Sequence, residues 1–143
     1  GKMSENIFHL KRGYVYIIED KKMFTFGGAE SIDKQQRIEN LNWWGHELPN
    51  DDEINRGLEN LAKHDFDIDY VVTHTMPKEV LQKAIVCLNL RIDMHKLADP
   101  MCKILDMFLD KIRFKKWYCG HMHVDLLYHN FQLCYQDFYK IDD

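Results

Sequence analysis

The sequence of 143 residues lacks several features that would restrict its class at once. Its four cysteines form no Cys-x-x-Cys pair, and no targeting segment is visible, so we expect reduced and mostly buried thiols in a cytoplasmic protein. No apolar run reaches the roughly 18 residues that cross a bilayer, which predicts no membrane association. Basic side chains do not outnumber acidic ones, at 19 against 23, so we consider nucleic acid only as a substrate.

What is present is typical of a globular domain: 45% hydrophobic, 29% charged and 13% aromatic residues. The patterns predict β-rich and helical segments in an order that favours a mixed α/β (α+β) layered fold. Strands are predicted at 6–10, 14–18, 23–26, 68–73, 116–119, 126–128 and 131–135, with the second and third forming a hairpin, and helices at 51–64, 78–88 and 95–111.

Three histidines stand out because each follows a β-rich run. His74 comes directly after one predicted strand, and His121 and His123 follow another through Gly120. In open α/β sheets, ligands bind beyond the carboxyl ends of strands, so these imidazoles are expected to meet at one edge. Imidazole nitrogen binds divalent transition metals, which makes His74, His121 and His123 the candidate metal ligands.

The spacing of the last two histidines bears on how many ions they would bind. Residues i and i+2 of an extended segment lie about 7 Å apart, which suits two neighbouring ions better than one unless the loop curls. A His-x-His triplet is expected about 0.4 times by chance here, whereas Gly-His-x-His is expected only a few hundredths of a time. The pattern therefore favours a metal site over coincidence.

Longer segments around these histidines resemble a known family. Residues 72–77 (Val-Thr-His-Thr-Met-Pro) and 117–123 (Trp-Tyr-Cys-Gly-His-Met-His) are similar to the two C-terminal metal motifs of calcineurin-like metallophosphoesterases. Residues 26–33, Arg37 and 43–49 resemble a bacterial and phage branch of that family. The resemblance runs over nearly the whole chain.

The resemblance implies a hydrolase of phosphomonoesters or phosphodiesters with two divalent ions (Mn, Fe, Zn, Ni or Co). His74 and His121 would bind one ion and His123 the other, in a four-layer sandwich of mixed sheets flanked by helices. The substrate, a phosphate ester, would be attacked by water activated between the ions.

Three motifs of the family have no counterpart here: Asp-x-His, Gly-Asp-x-x-Asp and Gly-Asn-His-Asp/Glu. Asp93-Met94-His95 matches the first by letter, but about 0.8 such matches are expected by chance and it follows His74, so we treat it as coincidental. Residues 1–143 are therefore expected to be the C-terminal part of one domain. We expect this chain to be nearly inactive alone and to need a further N-terminal segment or another copy; its catalytic residues are not identified.

The alternative is a non-catalytic half-domain that oligomerises or binds a partner through an exposed sheet edge. A closed structural metal site is a weaker alternative, because a four-ligand set is lacking. Other positions favour structural interpretations: Gly27 and Gly28 as turn residues, and Trp43 and Trp44 as mainly core. For Asp33 and Arg37, solvated loop positions are favoured over substrate contacts. The lysine pairs at 21–22 and 115–116 are expected to be solvated ends of elements.

Overall fold

A computed structural model describes residues 2–29, 47–92 and 94–141, with Met94 described through its backbone only. The predictions for Asp33, Arg37, Trp43, Trp44 and Asp93 lie outside the described residues.

The described chain contains eight strands and four helices. The strands are β1 (Lys2–Ser4), β2 (Ile7–Phe8), β3 (Tyr14–Ile18), β4 (Lys21–Phe26), β5 (Asp67–Thr73), β6 (Arg113–Cys119), β7 (Leu126–Tyr128) and β8 (Phe131–Leu133). The helices are α1 (Asp51–Ala62), α2 (Lys78–Leu88), α3 (Met94–Ala98) and α4 (Pro100–Leu109). The mixed α/β class expected from the sequence is confirmed. None of these helices is long and apolar enough to cross a membrane.

Six of the strands form one mixed sheet in the order β3-β4-β5-β6-β8-β7, while β1 and β2 pair separately. The four inner strands are parallel to one another, and each outer strand is antiparallel to its neighbour. The carboxyl ends of β4, β5, β6 and β8 therefore lie at the same edge of the sheet, which we call the carboxyl edge.

The main core lies between this sheet and the helices. Phe24, Val71 and Trp117 are buried there with Leu61 of α1 and Phe108 of α4. Successive strand residues face opposite sides. Their chain neighbours accordingly form a smaller cluster on the other face, made of Met23, Tyr70 and Tyr118.

Local sequence explains where α1 begins. The Asn50 side chain accepts a hydrogen bond from the Glu53 amide, and the Glu53 carboxylate accepts one from the Asn50 amide. This capping box satisfies two amide groups that the helix leaves unpaired at its start.

Some predicted boundaries are wrong. The helix expected at 95–111 is two helices, because Pro100 has no amide hydrogen to continue α3 and instead occupies the first turn of α4, which Asp99 caps. The strand expected at 6–10 is reduced to β2. The last strand ends at Leu133, two residues earlier than expected. All four cysteines are free thiols: Cys102 and Cys119 are buried and Cys134 is half-buried, whereas Cys87 departs from the expectation of mostly buried thiols because it is exposed.

Candidate functional site

His74 is the first residue after β5, and a buried hydrogen-bond relay fixes the turn that carries it. The Thr73 hydroxyl donates to the Thr75 carbonyl (2.6 Å) and accepts from the Trp117 indole nitrogen (2.8 Å). Thr75 and Trp117 are fully buried, so water does not compete for these bonds. The backbone on both sides of His74 is thereby held while its side chain reaches the surface.

His121 follows β6, the parallel neighbour of β5. The Gly120 amide donates to the His74 carbonyl at 2.9 Å, which joins the two strand-end loops directly. Gly120 was expected to provide the turn, but its φ is not positive; the left-handed residues are His121 (φ 66°) and His123 (φ 55°). The loop therefore curls at the histidines themselves.

Left-handed backbone is unfavourable for residues with a Cβ, at about 1–3 kcal/mol each where neighbours must hold it. Lys96 of α3 supplies one such restraint, because its ammonium donates to the His121 carbonyl at 2.5 Å. Strain of this kind is concentrated at functional sites more often than elsewhere.

The rings of His74 and His121 come together. His74 Nε2 and His121 Nδ1 are 2.9 Å apart, and the ring centroids are separated by 4.7 Å. Two of the three imidazoles expected to meet at this edge are therefore in contact.

Both imidazoles are kept neutral. The pKa of His121 is lowered to about 4, mainly by burial and in addition by the neighbouring His74 and Lys96. The pKa of His74 is also lowered, mainly by burial; Asp99 opposes that shift and Lys96 supports it. Near neutral pH each ring therefore has a nitrogen lone pair available, as metal binding requires.

His123 is placed differently. Its ring is exposed and stacks on Tyr135, with centroids 5.1 Å apart and planes inclined by 25°. It is near enough for its charge to lower the pKa of His74 and His121. His123 thus lies beside the pair without joining it, and its role as a ligand stays a prediction.

The pair fits a metal ion as part of a ligand set. Two nitrogens bound at 2.0–2.1 Å with an angle of about 90–110° are roughly 2.9–3.4 Å apart, and the observed separation lies at the lower end of that range. Over residues 2–29, 47–92 and 94–141, no three His, Cys, Asp or Glu side chains are grouped so that they could hold an ion. Among the described residues, the pair could therefore supply at most two ligands of such a set.

Sequence patterns did not indicate Lys96 or Asp99 as part of this region, and they assigned Thr73 no role of its own. Lys96 and Asp99 reach it only because α3 and the start of α4 pack over the carboxyl edge. The one usable signal was Asp99-Pro100, a combination typical of a helix start. Gly28, expected to be a turn residue, has φ of 130°, and a Cβ there would lie 2.4 Å from the Glu47 carbonyl oxygen.

No protein-family model, no curated protein and no solved structure matches the chain. The resemblance to calcineurin-like phosphoesterases accordingly rests on the motifs quoted above.

Proposed function

We propose that this chain supplies histidine ligands to a binuclear metal site that hydrolyses phosphate esters. The observation that carries the proposal is the 2.9 Å approach of two neutral imidazole nitrogens from the ends of adjacent parallel strands. The complete domain would be the four-layer sandwich of the calcineurin-like family, of which the six-stranded sheet would form part.

In this proposal the residues have separate tasks. His74 and His121 would bind one ion, and His123, which stacks on Tyr135, would bind the second. The carboxylates that such a site needs would come from residues outside the described ones or from a second chain. Bound divalent ions would activate a water molecule and neutralise charge on the phosphoryl oxygens.

Lys96 would contribute by charge and by position. Its ammonium fixes the curled loop through the His121 carbonyl, and its positive charge lies close enough to affect both histidines. A cation there attracts a phosphate anion, while the buried carboxylate of Asp99 partly offsets its repulsion of a metal ion.

Metal affinity provides the direct test. Zn²⁺ binding to the purified chain is measured by competition with a chromogenic chelator, in the parent protein and in His74→Gln and His121→Gln. We expect each substitution to weaken binding by more than the roughly 10- to 100-fold that loss of a supporting residue costs at metal sites.

His64→Gln is the matched control, because His64 lies at the end of α1 and away from the carboxyl edge. Parent affinity in His74→Gln or His121→Gln would contradict the proposal, as would an equal loss in the control. With Mn²⁺ and an activated aryl phosphate diester or monoester, we expect very slow turnover by this chain alone. Rapid turnover would show that the 143-residue chain needs no ligands from elsewhere.

A second candidate function has its own observation. β3 is an outer strand of the sheet and pairs only with β4 among the described strands. Ile17 and Ile18 on it are 59% and 43% exposed. An apolar outer strand invites pairing with another chain, so we propose a partner-binding or oligomerising module as the alternative.

Light scattering after size-exclusion chromatography distinguishes this alternative. A metal-free dimer of the parent chain that Ile17→Lys converts to monomer would favour the module. If the parent chain is monomeric at all concentrations, it does not self-associate through β3.

A further inference from the structure

A cavity of about 460 Å³ opens near the carboxyl edge, beside the histidine pair but separate from it. Its walls come from residues 9–12 before β3, from Gly27 and Gly28 after β4, and from Glu53 and Arg56 of α1. Because Phe26 pairs with Thr73 in parallel strands, the two glycines leave the sheet next to the turn that carries His74. The volume is in the range of small-molecule sites.

The lining of this cavity is strongly basic. Lys11, Arg12 and Arg56 contribute three permanent positive charges, and Glu53 is the single carboxylate among the lining residues. Glu53 lies 3.3 Å from Arg12 Nε and 3.8 Å from Arg56 Nη2, so one carboxylate is shared between two guanidinium groups. Among the described lining residues, basic side chains therefore outnumber acidic ones.

The Arg56 guanidinium is held in place before any ligand arrives. It lies over the Tyr14 ring, 5.1 Å from the centroid, and donates to the Arg12 carbonyl at 3.4 Å. Its Nε is buried and has no hydrogen-bond partner among the described residues. A guanidinium that is positioned in this way matches the oxygens of a phosphate group.

The glycine wall leaves room for a ligand. A Cβ on Gly27 would meet no atom of the described residues within 4 Å, so the backbone there is not covered by any of them. Gly28 fixes the shape of the turn, because its φ of 130° and its close approach to the Glu47 carbonyl exclude larger residues. The wall is thus both open toward the cavity and conformationally restricted.

We propose that this cavity binds the phosphate group of a small phosphorylated molecule. The site is independent of the metal proposal, because no histidine of the pair lines it. Arg56 and Lys11 are the residues whose charge the ligand would contact, with Glu53 orienting Arg56.

Calorimetric titration with inorganic phosphate, and then with phenyl phosphate, tests the proposal on the whole chain. A chelator in the buffer keeps metal out of the measurement. We expect one phosphate per chain, and affinity about tenfold weaker or more in both Arg56→Gln and Lys11→Gln. Arg91→Gln, an exposed arginine away from the cavity, is the matched control and is expected to bind as the parent does.

Three outcomes would overturn the proposal: no binding by the parent chain, unchanged affinity in both cavity variants, or an equal loss in Arg91→Gln. His74→Gln separates this site from the metal site, since loss of phosphate binding there would assign the anion to the histidine pair instead. Thermal unfolding without phosphate checks that the variants fold. If Arg56→Gln fails to fold, Lys11→Gln decides the matter, because Lys11 is exposed.

Discussion

Replacing Thr73 by valine tests the relay that holds the turn at His74. The substitution keeps the shape and the β-branched side chain but removes the hydroxyl that accepts from Trp117 Nε1 and donates to the Thr75 carbonyl. Both partners belong to fully buried residues, so no water replaces the lost bonds.

The expected loss of stability follows from the two buried polar groups that lose their hydrogen-bond partner. A buried donor or acceptor without a partner costs about 1–3 kcal/mol, and Thr73→Val leaves one of each. Some of this is recovered because a methyl group is easier to bury than a hydroxyl. We therefore expect the free energy of unfolding to fall by about 2–4 kcal/mol.

Urea unfolding followed by far-ultraviolet circular dichroism measures this change. Thr25→Val is the matched control: Thr25 lies on the neighbouring strand and is equally buried, at 6% exposure against 7%, and its hydroxyl donates to the Lys11 carbonyl at 2.8 Å. That carbonyl is only partly buried, so we expect a loss of about 1 kcal/mol.

A double-mutant cycle with Trp117→Phe measures the coupling between the Thr73 hydroxyl and the Trp117 indole. In that background the indole donor is already gone, so Thr73→Val is expected to cost about 1–2 kcal/mol less than in the parent. An identical cost in both backgrounds would refute the coupling. A loss in Thr73→Val no larger than that in Thr25→Val would refute the relay as a whole.

Two further predictions concern stability. Asn50→Ala removes the α1 cap and is expected to lower the free energy of unfolding, measured in urea, by about 1 kcal/mol. Asn55→Ala, inside α1, is the control and is not expected to lower it. Equal losses in the two variants would contradict the capping role. The pKa of Asp69 is lowered by the Lys22 amide and the Lys115 ammonium. Its stabilising contribution is complete above the pKa of the unfolded chain and is lost as pH falls through the lower folded value. Melting temperatures in acid are therefore expected to decline less steeply in Asp69→Asn than in the parent, and a parent-like decline would contradict this.

Local patterns predicted the elements whose signals lie close together in the chain. The β3–β4 hairpin, α1 and α2 depend on neighbouring residues, on turns and on caps, and their positions agree with the structure within about two residues. The division between α3 and α4 was missed although Asp99-Pro100 marks it, because the apolar spacing continues across the break and suggested one helix.

The candidate site was only partly accessible to sequence reasoning. That His74 and His121 follow strands could be read from the sequence, and the tendency of such strand ends to share an edge led to the expectation that they meet. Their 2.9 Å contact, however, depends on β5 and β6 being direct parallel neighbours. The left-handed backbone at His121 and His123 has no local signal, since the residue with that preference is Gly120.

The contacts of the basic residues were also only partly predictable from the sequence. The lysine pairs at 21–22 and 115–116 were the visible basic clusters, and Lys22 and Lys115 contact the carboxylates of Asp67 and Asp69. The cavity instead draws Lys11 and Arg56 from positions 45 residues apart in the sequence. Most strands and helices, and the imidazoles that follow strands, could be predicted from the sequence because those properties depend on nearby residues. Tertiary structure alone decided which charges and rings share a cavity, because strand pairing and helix packing join residues that are distant along the chain.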